Sequence, residues 1–190
     1  MENQKVVILD FGGQYKELIA RRVRECGVYS LIKPYNTSIN ELREISPIGI
    51  IFTGGPNSVY LKESPKCDPA IFEMGIPILG ICYGMQLIAH MLGGKISACE
   101  KSEYGRITAA VNTESALFSN IVETQNVLMS HTDKVIELPS GNFRGIANTK
   151  LCEIAAFECP EQKIYGVQFH PEVEISENGT QIIRNFLYNI

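Results

Sequence analysis

The sequence predicts a three-layer α/β fold with a mostly parallel central sheet, helices on both faces and antiparallel additions in the C-terminal half. Three observations carry that prediction. Unbroken apolar runs of strand length, such as KVVILD at Lys5 to Asp10 and IGIIF at Ile48 to Phe52, read as strands buried on both faces. Stretches of helical period separate them. Beyond Lys95 the texture changes to shorter alternating segments, the pattern of antiparallel strands.

Taken in order, Lys5 to Asp10 is a strand closed by the turn Phe11-Gly12-Gly13. From Gln14 to Cys26, Tyr15, Leu18, Ile19, Val23 and Cys26 form one helical stripe, which Gly27 ends. Val28 to Ile32 reads as a second strand, Ser38 to Ile45 as a weak helix, and Ile48 to Phe52 as a third strand ending in Thr53-Gly54-Gly55-Pro56. A short helix over Pro69 to Met74 and a strand over Ile76 to Ile81 follow, then a helix from Met85 to Leu92. Arg106 to Val111, Lys134 to Leu138, Glu153 to Phe157 and Ile164 to Gln168 are the antiparallel additions. Ser176 to Asn189 closes the chain as a helix with Ile182, Ile183, Phe186 and Leu187 on one face. The alternation is flavodoxin-like, and nothing interrupts it as a linker or repeat would, so residues 1–190 read as one domain.

The chain is long enough to bury a core without disulfide or metal staples. Its net charge of −4, with acids and bases interspersed, leaves no basic footprint for nucleic acid. Met1 to Lys5 runs straight into a strand without the pattern of a secretion leader, and no apolar run has the length of a membrane span. The expectation is a cytoplasmic chain whose six cysteines are free thiols. They include no C-x-x-C pair, so no metal site is expected.

Chemistry concentrates in GICYGMQ, Gly80 to Gln86. A cysteine between two glycines, at the junction of a strand and a helix, has the form of a nucleophile elbow. The helix start would direct partial positive charge at the sulfur and favour thiolate over thiol. A buried core cysteine, with glycines that only allow close helix–strand packing, is the competing reading. A thiolate nucleophile needs a proton carrier, and the chain has three histidines. His170 follows an apolar strand, and Glu172, two residues on, falls on the same side of an extended segment, where it can hold the second ring nitrogen. His90 lies about two turns into the helix after the elbow and reads as structural. His131, in Met129-Ser130-His131-Thr132-Asp133, reads as part of a loop that either lines a site or caps the next element. The turn Gly54-Gly55-Pro56 opens on the same sheet edge as Cys82, where backbone N–H groups can meet an oxyanion. Neither phosphate-binding glycine pattern is present.

Together, Gly54-Gly55-Pro56, Gly80 to Gln86 and Phe169-His170-Pro171-Glu172, in this order, resemble the class I (triad) glutamine amidotransferases over essentially the whole chain. Ile8 to Tyr15 (ILDFGGQY), Met129-Ser130-His131-x-Asp133 and Gly166 to Val173 are similar to one branch, the amidotransferase part of GMP synthetase. No catalytic position departs from the pattern. The resemblance implies Cys82 as nucleophile, His170 as acid and base, Glu172 as its orienting partner, and an oxyanion hole from the N–H groups of Gly55 and Tyr83. It assigns substrate contacts to Gln86, Gly54, Ser130 and His131.

The implied reaction hydrolyses L-glutamine through a cysteine thioester and supplies ammonia to an ATP pyrophosphatase domain or subunit that converts XMP to GMP. No cofactor is expected in this chain; ATP and magnesium belong to the partner. The rivals are the amidotransferase of another synthetase (anthranilate, aminobenzoate or carbamoyl phosphate) and a stand-alone γ-glutamyl hydrolase. Two expectations remain for the chain itself, a separate subunit or the excised N-terminal part of a longer one. Its end inside a helical pattern leans slightly toward the second.

Overall fold

A computed structural model describes residues 4–190; the reading of Met1 to Asn3 lies outside the described residues. The parallel half is built from β1 (Lys5–Asp10), α1 (Lys16–Glu25), β2 (Tyr29–Pro34), α2 (Ile39–Ile45), β3 (Gly49–Phe52), β4 (Ile78–Ile81) and α3 (Tyr83–Met91). Next come β5 (Lys95–Val111), β6 (Thr124–Glu137), β7 (Arg144–Asn148), β8 (Ala156–Cys159), β9 (Ile164–Val167) and α4 (Gly179–Asn189). Pro69–Glu73 forms a 3₁₀ turn where the sequence predicts a short helix. No helix among the described residues is long and apolar enough to cross a membrane.

The strands form one sheet in the order β2-β1-β3-β4-β9-β8-β7-β5-β6. The first five are mutually parallel, in the 2-1-3-4-5 order of flavodoxin-like sheets. Strand alternation divides their side chains between the two helical layers. Val6 and Ile8 pack with Ile19 and Val23 of α1 and Ile182 and Phe186 of α4. Val7 and Leu9 pack on the opposite face with Leu42 of α2 and Leu87 and Ile88 of α3. Because β1, β3, β4 and β9 run the same way, the segments after Asp10, Phe52, Ile81 and Val167 all emerge at one edge. That edge carries the chemistry.

Three expectations change. Ile164–Val167 is the fifth parallel strand, paired with β4, and is antiparallel only to β8. Strands β5 and β6 are much longer than their predicted segments, at 17 and 14 residues, and β7 was not foreseen. The run containing Ser130 and His131 is strand, not loop. Every second residue from Gln125 to Val135 is buried, but three of these positions hold Gln125, His131 and Asp133, so no apolar period betrays it.

Candidate active site

Strand β4 ends at Ile81 and α3 begins at Tyr83, leaving Cys82 alone between them at φ 53° and ψ −109°. A non-glycine residue there is strained and persists only where its surroundings over-determine it. Three backbone bonds do so. The Cys82 N–H donates to the Val167 carbonyl at 2.8 Å, the Gly84 N–H to Thr53 at 3.1 Å, and the Gln86 N–H to the Cys82 carbonyl at 3.1 Å.

The flanking glycines serve packing. A Cβ on Gly80 would sit 2.6 Å from the Gly84 carbonyl group, and one on Gly84 would sit 2.6 Å from the Phe52 backbone oxygen. The two readings of the glycines are therefore not alternatives: close packing of α3 against β3 and β4 is what presses Cys82 into its raised position. Gly84→Ala is expected to cost about 1–3 kcal/mol in urea unfolding through overpacking. Gly145→Ala, where the nearest atom to a new Cβ is 4.0 Å away, is expected to be near neutral. Equal costs at the two positions would contradict this account.

His170 leaves the end of β9 with its backbone held on both sides. Its N–H donates to the Leu128 carbonyl at 3.1 Å, and its own carbonyl accepts from the Ser176 hydroxyl at 2.6 Å. The Nδ1 atom is 2.8 Å from Oε1 of Glu172, which fixes the tautomer and leaves Nε2 for the sulfur side. Glu172 is fully buried, and Arg22 anchors its backbone by donating to its carbonyl at 3.0 Å. The Tyr15 ring stands edge-on to the imidazole, with centroids 5.2 Å apart. Burial opposes charge on His170, but hydrogen bonds with Cys82 and Glu172 outweigh it and raise its pKa from 6.5 to about 10. Gly54 leaves the space between them: its Cβ would lie 3.3 Å from the imidazole Cε1 and 3.7 Å from the Cys82 Cβ.

These groups line a cavity of about 500 Å³, within the range of small-molecule sites. Gly54, Gly55, Tyr83, Gln86, Ser130 and His131 line it too, so the structure brings every sequence-predicted site residue to one place. The Tyr83 N–H, first in α3, has no intrahelical acceptor. Gly55 is pinned beside it, because a Cβ there would lie 2.7 Å from the Phe11 carbonyl oxygen and 3.2 Å from the Tyr83 ring. The Ser130 carbonyl accepts from the Cys82 thiol at 3.6 Å.

His131 is not a free proton carrier. Its Nδ1 faces the Asp133 carbonyl at 2.9 Å and its Nε2 faces Glu103 at 3.1 Å, with both side chains buried. Glu103, His131 and Cys152 offer metal-ligating atoms within 4.8 Å of one another. The cluster is satisfied by hydrogen bonds instead: Glu103 also accepts from Thr149 at 2.7 Å, and the Cys152 thiol donates to the Ile154 carbonyl. Burial pushes that thiol up to about 12, away from the thiolate a metal would need. His90 lies partly buried in α3, where burial foremost and then Lys66 lower its pKa.

Sequence reasoning missed Gln168, Tyr15 and Thr53. Gln168 lies fully buried at the end of β9 and donates from Nε2 to the Cys82 sulfur at 3.5 Å. Its signals were a polar residue closing an apolar run and its place in the stretch Gly166 to Val173, neither of which gives it a role. Tyr15 sits in the stripe assigned to helix packing. The Thr53 hydroxyl accepts from the Phe11 N–H at 2.9 Å and ties together the loops after β1 and β3.

The sequence profile of glutamine amidotransferase class-I matches residues 7–190. The chain is 57% identical over its full 190 residues to the GMP synthase (glutamine-hydrolysing) of Caldicellulosiruptor saccharolyticus and 54% identical to that of Clostridium botulinum. It spans 37% of the length of each relative. A solved structure from Thermoplasma acidophilum, of a protein described as one subunit of a GMP synthase, superposes with a TM-score of 0.89 at 30% identity. That match covers 98% of this chain and 94% of the other. A Thermotoga maritima glutamine amidotransferase shares the fold, with a TM-score of 0.75 at 17% identity over 100% of this chain and 98% of the other.

Proposed function

Because the chain belongs to the class I glutamine amidotransferases, we propose that its cavity hydrolyses L-glutamine to glutamate and ammonia. The observation that carries this reading is the strained Cys82 at a helix start, facing an imidazole held by a buried carboxylate in one cavity. The Cys82 thiolate attacks the side-chain amide carbon, and the charge moves to the amide oxygen. The N–H groups of Gly55 and Tyr83 stabilise that oxyanion. Protonated His170 gives its proton to the nitrogen as the C–N bond breaks and ammonia leaves. Neutral His170 then takes a proton from water, which attacks the γ-glutamyl thioester; glutamate departs and the sulfur returns as thiolate. Glu172 keeps the imidazole in the working tautomer throughout.

Gln86 donates from Nε2 to the Asp133 carbonyl at 2.7 Å and to Gln168 at 3.0 Å, so its amide oxygen is what it offers glutamine. Ser130 and His131 would contact the substrate through their backbone, and Gly54 by leaving space.

The ammonia goes to an ATP pyrophosphatase domain or subunit that converts XMP to GMP. This is supported by the names of the relatives and by the 37% of their length that the chain spans. ATP and magnesium act there, and no cofactor is assigned to residues 1–190, which form the amidotransferase domain of a cytoplasmic enzyme. The chain alone is expected to release glutamate slowly and to accelerate when the pyrophosphatase part, ATP and XMP are added. The loop Gly54-Gly55-Pro56 is the piece such docking would tighten; Ser130 and His131, being in a strand, are not. A misplacement of about 1 Å can cost on the order of a hundredfold. Equal turnover with and without the partner would move the reading to a self-sufficient γ-glutamyl hydrolase. Acceleration by a different synthetase would replace GMP as the product.

A further inference from the structure

We infer that Gln168 is a further catalytic residue: its carboxamide, locked in one orientation by Gln86, donates an N–H to the Cys82 sulfur and stabilises the thiolate. The inference rests on the amidotransferase reading for the identity of the nucleophile, but its own basis is a chain of hydrogen bonds.

The orientation of a glutamine amide follows from its neighbours, and here the neighbours leave one choice. The Asp133 carbonyl can only accept, and it faces both Nδ1 of His131 at 2.9 Å and Nε2 of Gln86 at 2.7 Å. Gln86 must therefore present its NH₂ group there, and the same group donates to Oε1 of Gln168 at 3.0 Å. Reversing Gln168 would set two NH₂ groups against each other. Its own NH₂ is thus directed at the sulfur, 3.5 Å away. The chain continues behind Asp133, since His131 is held by Glu103 and Glu103 by Thr149, all buried. A fully buried carboxamide with both ends paired has little freedom to turn.

The sulfur meets two opposing neighbours. The Ser130 carbonyl at 3.6 Å accepts from the thiol and disfavours thiolate, whereas an N–H donor favours it. His170 favours thiolate only while protonated, and it surrenders that proton to the leaving ammonia. Gln168 keeps its donor through the whole cycle. Its contribution does not depend on the protonation state of the imidazole, so it acts on the attacking thiolate and again on the thiolate that departs when the thioester breaks. A hydrogen bond to a charged group corresponds to about ten- to a hundredfold in rate.

The test uses Gln168→Met, close in shape but without the donor, and Gln168→Glu, which turns an acceptor toward the sulfur, in the protein at its natural length. The pH profile of iodoacetamide alkylation at Cys82 is followed by peptide mass spectrometry. The other groups facing this region stay in place: His170 and Glu172 after β9, Tyr15 before α1, Tyr83 in α3, Glu103 on β5, and His131 and Asp133 on β6. Gln168→Met is expected to move the alkylation midpoint to higher pH and to lower kcat about ten- to a hundredfold with little change in KM. Gln168→Glu should move both further. An unchanged midpoint in a Gln168→Met protein that melts like the wild type would overturn the inference. Should neither variant fold, the wild type still decides: a Gln168 side-chain amide proton resonance should shift as Cys82 ionises, and should not in Cys82→Ala. No such shift would overturn the inference. Failure of the wild type to hydrolyse glutamine would refute the amidotransferase reading, while the alkylation and resonance data would still report on Gln168.

Discussion

Cys82→Ala is expected to lower glutamate release by at least about 10³-fold while leaving the fold intact, because the alanine removes the only atom that can form the thioester. A glutamine-mimicking diazo-ketone is expected to label Cys82 in the wild type and to spare the other five thiols. Burial pushes Cys67 and Cys152 up to about 12 and also raises Cys26, Cys99 and Cys159, so none is poised as a thiolate near neutral pH. None of the five lies at an elbow. Labelling of Cys26 or Cys152 at the same rate as Cys82 in the folded protein would contradict the assignment.

His170→Ala is expected to cost about 10²- to 10⁴-fold in turnover, and Glu172→Gln less, since the first removes the proton carrier and the second only its orientation. The second variant also has a signature in pH. His170 is held at about 10 by Cys82 and Glu172 against its burial. Weakening one of those supports brings the histidine down, so the alkaline limb of kcat/KM should move to lower pH in Glu172→Gln. The same raised pKa enters folding. Its stabilising contribution is full below the unfolded value of 6.5 and disappears as pH rises through about 10. Wild-type stability, measured by urea midpoint, should therefore fall more across that interval than that of His170→Ala. Turnover surviving in His170→Ala but lost in His131→Ala would reverse the roles given to the two histidines.

In the parallel half, β1, β3 and β4 were legible because helices bury them on both faces, which demands continuous apolar runs such as Val6 to Leu9 and Ile50 to Phe52; the equally apolar β9 showed its strand but not its direction. The antiparallel half was not. Much of β5 is exposed, its register with β6 shifts between Ala98 and Glu103, and β6 fills buried positions with Gln125, His131 and Asp133. Polar side chains in buried strand positions read as a loop until their partners are known, and Glu103, which pairs with His131, and Tyr60, which donates to Asp133, lie far away in sequence. The candidate site was legible for the opposite reason. Cys82 announces itself by local glycines, and His170 with Glu172 by local spacing at the end of an apolar run. Gln168 sits in that same run, but its meaning depends on Gln86 and Asp133, contacts that only the folded chain brings together.

The most direct test of the central claim is acid quenching of the protein within its first turnover of L-glutamine, followed by mass spectrometry of its cysteine peptides. A γ-glutamyl adduct confined to the Cys82 peptide, and lost when the quench is delayed past turnover, is the expected result. Glutamate formed in that first turnover with no adduct at Cys82, or with the adduct on another cysteine, would contradict the account.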